Sequence, residues 1–214
     1  MSPGRRVSGS PSEPTSGDPE ARARQICLRL LTAEPRTRAE LAQALRRGGI
    51  PAETAEAVLG RFTDVGLIDD AAFARAWVES RHYSRGLSRR TLSVELRRHG
   101  VNSDEIREAV GSLDPEQEVA TARRLVEQKM ASTRGQPPEA RARRAAGLLA
   151  RKGYPPGLAY RLIKETLESE GPGATAGLDL DTEPYGDPDE PDADDLAQGA
   201  GLSGEFDRQA DYSL

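Results

Sequence analysis

The chain has 214 residues, a formal net charge of −5, an aromatic fraction of 4% and one cysteine. No run approaches the ~18 apolar residues of a membrane span, the first residues lack the apolar stretch of a secretory leader, and Cys27 alone cannot form an internal disulfide, so the sequence reads as a cytoplasmic protein with no membrane partner. The charge is uneven: residues 20–168 carry a balance of +7 and residues 169–214 a balance of −12, and a basic body joined to an acidic tail suggests a polyanionic partner or an acidic protein face.

Residues 1–19 are rich in Ser, Gly and Pro without periodicity and read as a disordered leader. From residue 20 the apolar residues recur at i, i+3 and i+4, the mark of amphipathic helices, and no β-branched alternation competes with it. Ile26 and Leu30 predict a first helix, in which Cys27 takes a buried structural place. Leu41 and Leu45 mark the second, opened by the capping box Thr37-Arg38-Ala39-Glu40. Ala55, Val58, Leu59 and Phe62 mark the third. Asp69-Asp70 opens the fourth, which carries Phe73, Trp77 and Val78. Leu92 and Leu96 mark the fifth. Asn102 caps the sixth, with Ile106, Ala109, Val110 and Leu113. Asp114-Pro115-Glu116-Gln117 puts proline where a missing N–H costs nothing and starts the seventh, with Val119, Ala122, Val126 and Met130. Ala145, Leu148 and Leu149 mark the eighth; Ala159, Leu162, Ile163 and Leu167 mark the ninth. From Gly171 on, the chain turns acidic and Pro/Gly-rich, and the 169–214 segment reads as a disordered acidic tail.

One phrase occurs three times. Leu45-Arg46-Arg47-Gly48-Gly49-Ile50-Pro51 aligns with Leu96-Arg97-Arg98-His99-Gly100-Val101-Asn102 and with Leu149-Ala150-Arg151-Lys152-Gly153-Tyr154-Pro155. The glycines stand 51 and 53 residues apart and act as left-handed helix caps. Nine and ten residues after each comes an apolar pair: Val58-Leu59, Ala109-Val110, Leu162-Ile163. A period near 50 with three helices per unit predicts an all-α tandem array of units 20–68, 69–113 and 114–168, elongated and curved, each unit leaning on its neighbours.

The chemistry of an enzyme is missing. There is no phosphate loop and no dinucleotide-binding glycine motif. His82 and His99 have no cysteines at metal-ligand spacing, and His99 fits a structural place at a helix end, where a cation meets the dipole favourably. The carboxylate pair Asp69-Asp70 is accounted for as a cap plus dipole charge. No catalytic residue, cofactor or metal is expected. The feature with a binding character is a run of arginines: Arg81, Arg85, Arg89, Arg90, Arg97 and Arg98 fall within 18 residues around Tyr83 and Trp77. Arg90 and Arg97, seven apart, share a helix face. The planar guanidinium suits carboxylate and phosphate alike. The plain alternative is a solvated face with salt bridges to residues such as Glu79 and Glu95.

The stretch Gly66-Leu67-Ile68-Asp69-Asp70-Ala71-Ala72-Phe73-Ala74, then Arg81, Arg85-Gly86, and Glu95-Leu96-Arg97-Arg98-His99-Gly100-Val101 resembles the RecX family of RecA regulators. Leu67 stands where Tyr is common, Arg85 where Lys is common and Val101 where Ile is frequent. The resemblance covers about residues 20–168. It implies three tandem three-helix repeats. It also implies a regulator that acts on the RecA recombinase filament on single-stranded DNA, mostly as an inhibitor of its ATPase, strand-exchange and co-protease activities, in DNA repair and SOS control. The family supplies no catalytic residues. The six arginines as the contact face are an expectation from charge alone, and the chain is expected to act as a monomer. The rival reading is an independent module for single- or double-stranded DNA, since Arg-rich three-helix units resemble helix-turn-helix domains. The acidic tail is read as a solubilising extension, or as a segment that folds back on the basic body and competes with nucleic acid.

Overall fold

Three caps set the helix starts by the same means. Asp18, Asp69 and Asp114 each accept a backbone N–H from the turn they precede, from Glu20 (3.0 Å), Ala72 (2.7 Å) and Glu116 (2.9 Å). Each thereby satisfies one of the donors a helix start leaves open. They open α1 (Pro19–Ala33), α4 (Asp70–Arg85) and α7 (Pro115–Ser132). The computed structural model describes residues 18–171; residues 1–17 and 172–214, which hold most of the expected leader and tail, lie outside them. Among the described residues there are nine α-helices and no strand, so the all-α class read from the sequence holds.

The second helix of each group has a shorter span in the first two cases: α2 (Arg38–Arg47), α5 (Arg89–Arg98) and α8 (Pro138–Arg151). The capping box of α2 forms as the sequence suggests, Glu40 N–H to Thr37 Oγ1 at 3.2 Å and Thr37 N–H to Glu40 Oε2 at 3.1 Å. Ser88 caps α5 through Thr91 N–H at 3.3 Å. All three helices end alike. The residue after the glycine donates to the carbonyl five residues back (Ile50 to Leu45, Val101 to Leu96, Tyr154 to Leu149). The glycine itself donates inside that ring, and Gly49, Gly100 and Gly153 have φ of 70°, 78° and 83°. This is the left-handed ending in which glycine avoids a Cβ clash. The third helices follow at once: α3 (Ala52–Asp64), α6 (Ser103–Gly111), capped by Asn102, and α9 (Pro156–Glu170).

Each group of three helices closes on its own core. Ala23, Cys27, Leu41, Leu45, Val58 and Leu59 fill the first, with Cys27 fully buried. Ala74, Val78, Leu92, Leu96, Ile106 and Ala109 fill the second. Val126, Met130, Leu149, Leu162, Ile163 and Leu167 fill the third. Each buried aliphatic side chain contributes roughly 1.5–3 kcal/mol of transfer free energy, which lets cores so poor in aromatics hold. The described residues divide into two compact units after Glu118, one with α1–α6 and the other with α8, α9 and most of α7.

Within the second unit, Arg141 is 5% exposed. It holds Glu170 through two guanidinium contacts of 2.7 Å and donates to the Met130 carbonyl at 3.0 Å. That ties the ends of α7 and α9 to α8. Hydrogen bonding to Arg141 holds the Glu170 carboxyl below its ordinary value and raises the guanidinium pKa. The folded-state pKa of Glu170 is depressed, so its contribution is complete above the ordinary carboxylate range and is lost as the pH falls through the depressed value.

Within the first unit, a Cβ on Gly100 would lie 2.3 Å from the Ala39 Cβ, whereas one on Gly49 would meet nothing within 4 Å. Both glycines have positive φ, so Gly49→Ala carries the conformational cost alone, about 1 kcal/mol. Gly100→Ala adds the clash of its Cβ with the Ala39 Cβ and is expected to cost at least about 2 kcal/mol more. Urea unfolding midpoints of the two full-length variants measure the difference; equal midpoints would show that α2 and α5 do not meet as closely as the structure has them.

Candidate partner-binding face

The end of α5 meets the start of α2, and the contact is polar and specific. Thr37, fully buried, donates its hydroxyl to the His99 carbonyl at 2.6 Å. His99 Nδ1 stands 2.7 Å from Glu40 Oε1. The first N–H of α2, that of Arg38, is donated to Asp70 Oδ1 at 2.8 Å. The His99 ring packs on Trp77 (centroids 4.3 Å apart) and on Phe73 (5.5 Å). Sequence reasoning gave His99 a place at a helix end; it is the C-cap of α5, and its ring faces a glutamate of the preceding three-helix group. The sequence also explained Asp69-Asp70 as a cap plus a dipole charge, and Asp69 does cap α4 with Asp70 in its first turn. Asp70 also reaches back to α2.

Beside this joint lies a cleft of about 560 Å³, lined on one side by Arg38, Ala39 and Ala42 and on the other by Asp69, Asp70 and Glu105. Burial pushes the Asp70 carboxyl above its ordinary value, against the hydrogen bond and charge of Arg38. Burial, followed by the negative charge of Asp70, raises Glu105 against the Asn102 backbone hydrogen bond. Glu105 Oε2 is buried without a hydrogen-bond partner. The sequence gave no sign of this cleft, because its walls come from residues at least 27 positions apart. Among the described residues no group of His, Cys, Asp and Glu is arranged to hold a metal ion, and no helix is long and apolar enough to cross a membrane.

The six arginines singled out from the sequence divide into three kinds. Arg89 is absorbed into structure. Its backbone N–H goes to Glu118 Oε1 at 2.9 Å, its Nε lies 3.3 Å from Glu118 Oε2, and its guanidinium donates to the Leu113 carbonyl. Arg81 and Arg85 belong to α4. Arg81 lies flat over the Trp77 ring, 4.3 Å from its centroid, a cation–π contact. Arg85 is exposed in the last turn, before the left-handed Gly86. Arg90, Arg97 and Arg98 point outward from α5. At 100° per residue they share a face with Val94, an apolar side chain left partly exposed. The predicted bridge partner Glu95 instead accepts the Trp77 indole N–H at 2.9 Å. The face that remains is an apolar spot flanked by guanidinium groups, suited to a partner that offers carboxylates or phosphates.

Comparison with known proteins places three family models along the chain, each described as a three-helix domain of RecX: the first on residues 23–62, the second on 69–110 and the third on 116–163. The chain is 62% identical over 151 residues to the regulatory protein RecX of Thermobifida fusca (71% of this chain, 82% of that protein). It is 58% identical over 154 residues to that of Streptomyces coelicolor (72% and 82%). It is 42% identical over 176 residues to that of Mycolicibacterium smegmatis (77% and 94%). The crystal structure of RecX from Lactobacillus salivarius superposes with a TM-score of 0.63 at 18% identity, covering 69% of this chain and 96% of that one, which is a likeness of fold.

The pKa directions at the cleft fix a sign. The folded-state pKa values of Asp70 and Glu105 are raised, so the folded protein binds more protons than the unfolded one between the ordinary and raised values, and both groups cost stability once ionised. Glu105→Gln is therefore expected to raise the thermal midpoint at pH 7, with the gain shrinking as the pH falls toward the ordinary carboxylate range. A variant midpoint below wild type at pH 7 would show that the Glu105 carboxylate has a stabilising partner.

Proposed function

The chain belongs to the RecX family, and on that premise we propose that it regulates a RecA-type recombinase by binding the filament which the recombinase forms on single-stranded DNA. The observation that carries this reading is the match of all three RecX three-helix domains in order along the folded part of the chain, together with relatives named regulatory protein RecX at up to 62% identity. In this reading the protein acts by occupancy. It holds recombinase protomers through a surface and damps ATP hydrolysis, strand exchange and stimulated cleavage of the SOS repressor, in the cytoplasm, as a monomer without cofactor. The outward face of α5, with Arg90, Arg97 and Arg98 around Val94, is the contact face we assign. Arg81 and Arg85 flank it from α4, and Arg89 supports it from beneath.

A direct test adds the full chain to the same organism's recombinase, preassembled on single-stranded DNA, and follows the ATPase rate. A fall at well below one chain per recombinase protomer is expected. An unchanged rate, with binding to bare DNA intact, would shift the reading to an independent DNA-binding module, whose affinity would fall steeply with salt.

The arginines should separate by role. Replacing Arg90, Arg97 and Arg98 together by Gln is expected to weaken filament binding by about tenfold or more, since exposed charge-assisted contacts are lost, and to leave the melting temperature within a degree or two of wild type. Arg89→Gln should do the reverse. It strips ties to Glu118 and Leu113, so its main effect is expected on the unfolding midpoint. Wild-type filament affinity in the triple variant would remove the α5 face from the assignment.

A further inference from the structure

The last turn of α2 repeats the last turn of α5. Arg46 and Arg47 stand three and two residues before the left-handed Gly49, as Arg97 and Arg98 stand before Gly100. All four are exposed, and among the described residues none of their guanidinium groups takes an ion pair. Other surface arginines in the same two groups of helices do find carboxylates: Arg24 and Arg61 share Glu20, Arg38 meets Glu56 and Arg107 meets Asp104. Arg22, Arg75 and Arg90 are exposed without an ion pair as well, but only Arg46, Arg47, Arg97 and Arg98 stand as adjacent pairs, in two turns that are equivalent in the repeat.

These turns are held at a set distance. The end of α5 is fixed to the start of α2 by Thr37 on the His99 carbonyl, by Glu40 on the His99 ring and by the absence of any room between Gly100 and Ala39. From that joint α2 runs ten residues to Arg47. At 1.5 Å per residue its length is about 15 Å. One basic turn stands at the joint and the other at the far end of a rigid helix.

We infer that the last turns of α2 and α5 form one composite edge that binds carboxylates of a protein partner at two points, Arg97/Arg98 and Arg46/Arg47, with the His99–Glu40 joint setting their separation. This rests on the filament reading above and adds to it Arg46, Arg47 and the joint. The partner is an acidic protein surface with a repeating arrangement of carboxylates. A nucleic acid is the poorer fit. The charges are gathered at two points rather than in a continuous stripe, and Val94 gives the α5 point an apolar centre. Two linked weak contacts gain affinity from one another only while their spacing matches the partner. The joint is thus a positioning device and makes no contact itself.

The test measures affinity of the labelled full-length chain for the recombinase filament and, separately, for the bare single-stranded oligonucleotide. Thermal melts confirm folding. Arg46→Gln with Arg47→Gln is expected to weaken filament binding about fivefold or more, as two charge-assisted contacts are lost. Binding to the bare oligonucleotide should change much less. In a His99→Gln background, or in Glu40→Gln should that variant melt early, the same pair should cost less than about twofold, because the two points are no longer held in register. Three results overturn the inference. Loss of filament binding in Arg97→Gln/Arg98→Gln but not in Arg46→Gln/Arg47→Gln confines the edge to α5 and leaves the filament reading standing. Equal losses on filament and bare oligonucleotide make the occupant a nucleic acid. Absence of filament binding by the wild-type chain removes the filament reading itself.

Discussion

A helix cannot satisfy its own first N–H groups, and in this protein that deficit joins one group of three helices to the next. Arg38 N–H, at the start of α2, is taken by Asp70 in the first turn of α4. Arg89 N–H, at the start of α5, is taken by Glu118 in the first turn of α7. In the first case the second helix of one group begins on a carboxylate from the first helix of the following group; in the second the acceptor is the last residue of the first compact unit. Such a bond combines a charged acceptor with the positive end of a helix dipole and is worth about 1.5–3 kcal/mol. It also has direction. An apolar contact tolerates sliding, whereas a carboxylate on a single N–H fixes the relative position of two helices. The closely approached Gly100 and the His99–Glu40 pair then become possible.

The second helix of the third group is built differently. The position that holds buried Thr37 in the first group and buried Ser88 in the second holds Arg141 in the third. There α8 starts one turn earlier, on prolines, and Arg141 falls inside the helix. Its partners, Glu170 and the Met130 carbonyl, come from its own group. The same register position is thus buried and polar three times: Thr37 donates to the His99 carbonyl of the next group, Ser88 accepts from Thr91 N–H of its own helix, and Arg141 bonds within its own group.

The sequence made the helices legible because their signals are local. Thr37 and Glu40, Asn102, Pro115 and the capping glycines lie within a turn of what they control, and the periodic Leu, Val and Ala positions identify the three cores without reference to anything distant. The threefold phrase ending in Gly49, Gly100 and Gly153 exposed the architecture for the same reason. What stayed hidden were relations between groups. Nothing in Asp69-Asp70 says that the first aspartate caps its own helix and the second caps another 32 residues earlier. Nothing in an Arg-Arg pair says that Arg89 will be consumed by Glu118 and Leu113 while Arg90 stays free. Charge density singled out the segment, but only packing could sort its arginines.

That sorting follows from a physical limit. A guanidinium group brought against the core must find acceptors for its donors or leave them at a cost of several kcal/mol. Arg89 and Arg141, the two drawn inward, meet both a carboxylate and a backbone carbonyl. Arg81 meets an aromatic face. The arginines at the ends of α2 and α5 have none of these and need none, because water and the negative end of their own helix dipole satisfy them. For the fold alone, lysine would serve as well at those four positions. Planar, bidentate arginine gains an advantage there only when a carboxylate or phosphate arrives from outside. The distinction therefore assigns the inward arginines to stability and leaves the outward ones, at equivalent turns of a repeat, without a task in the fold.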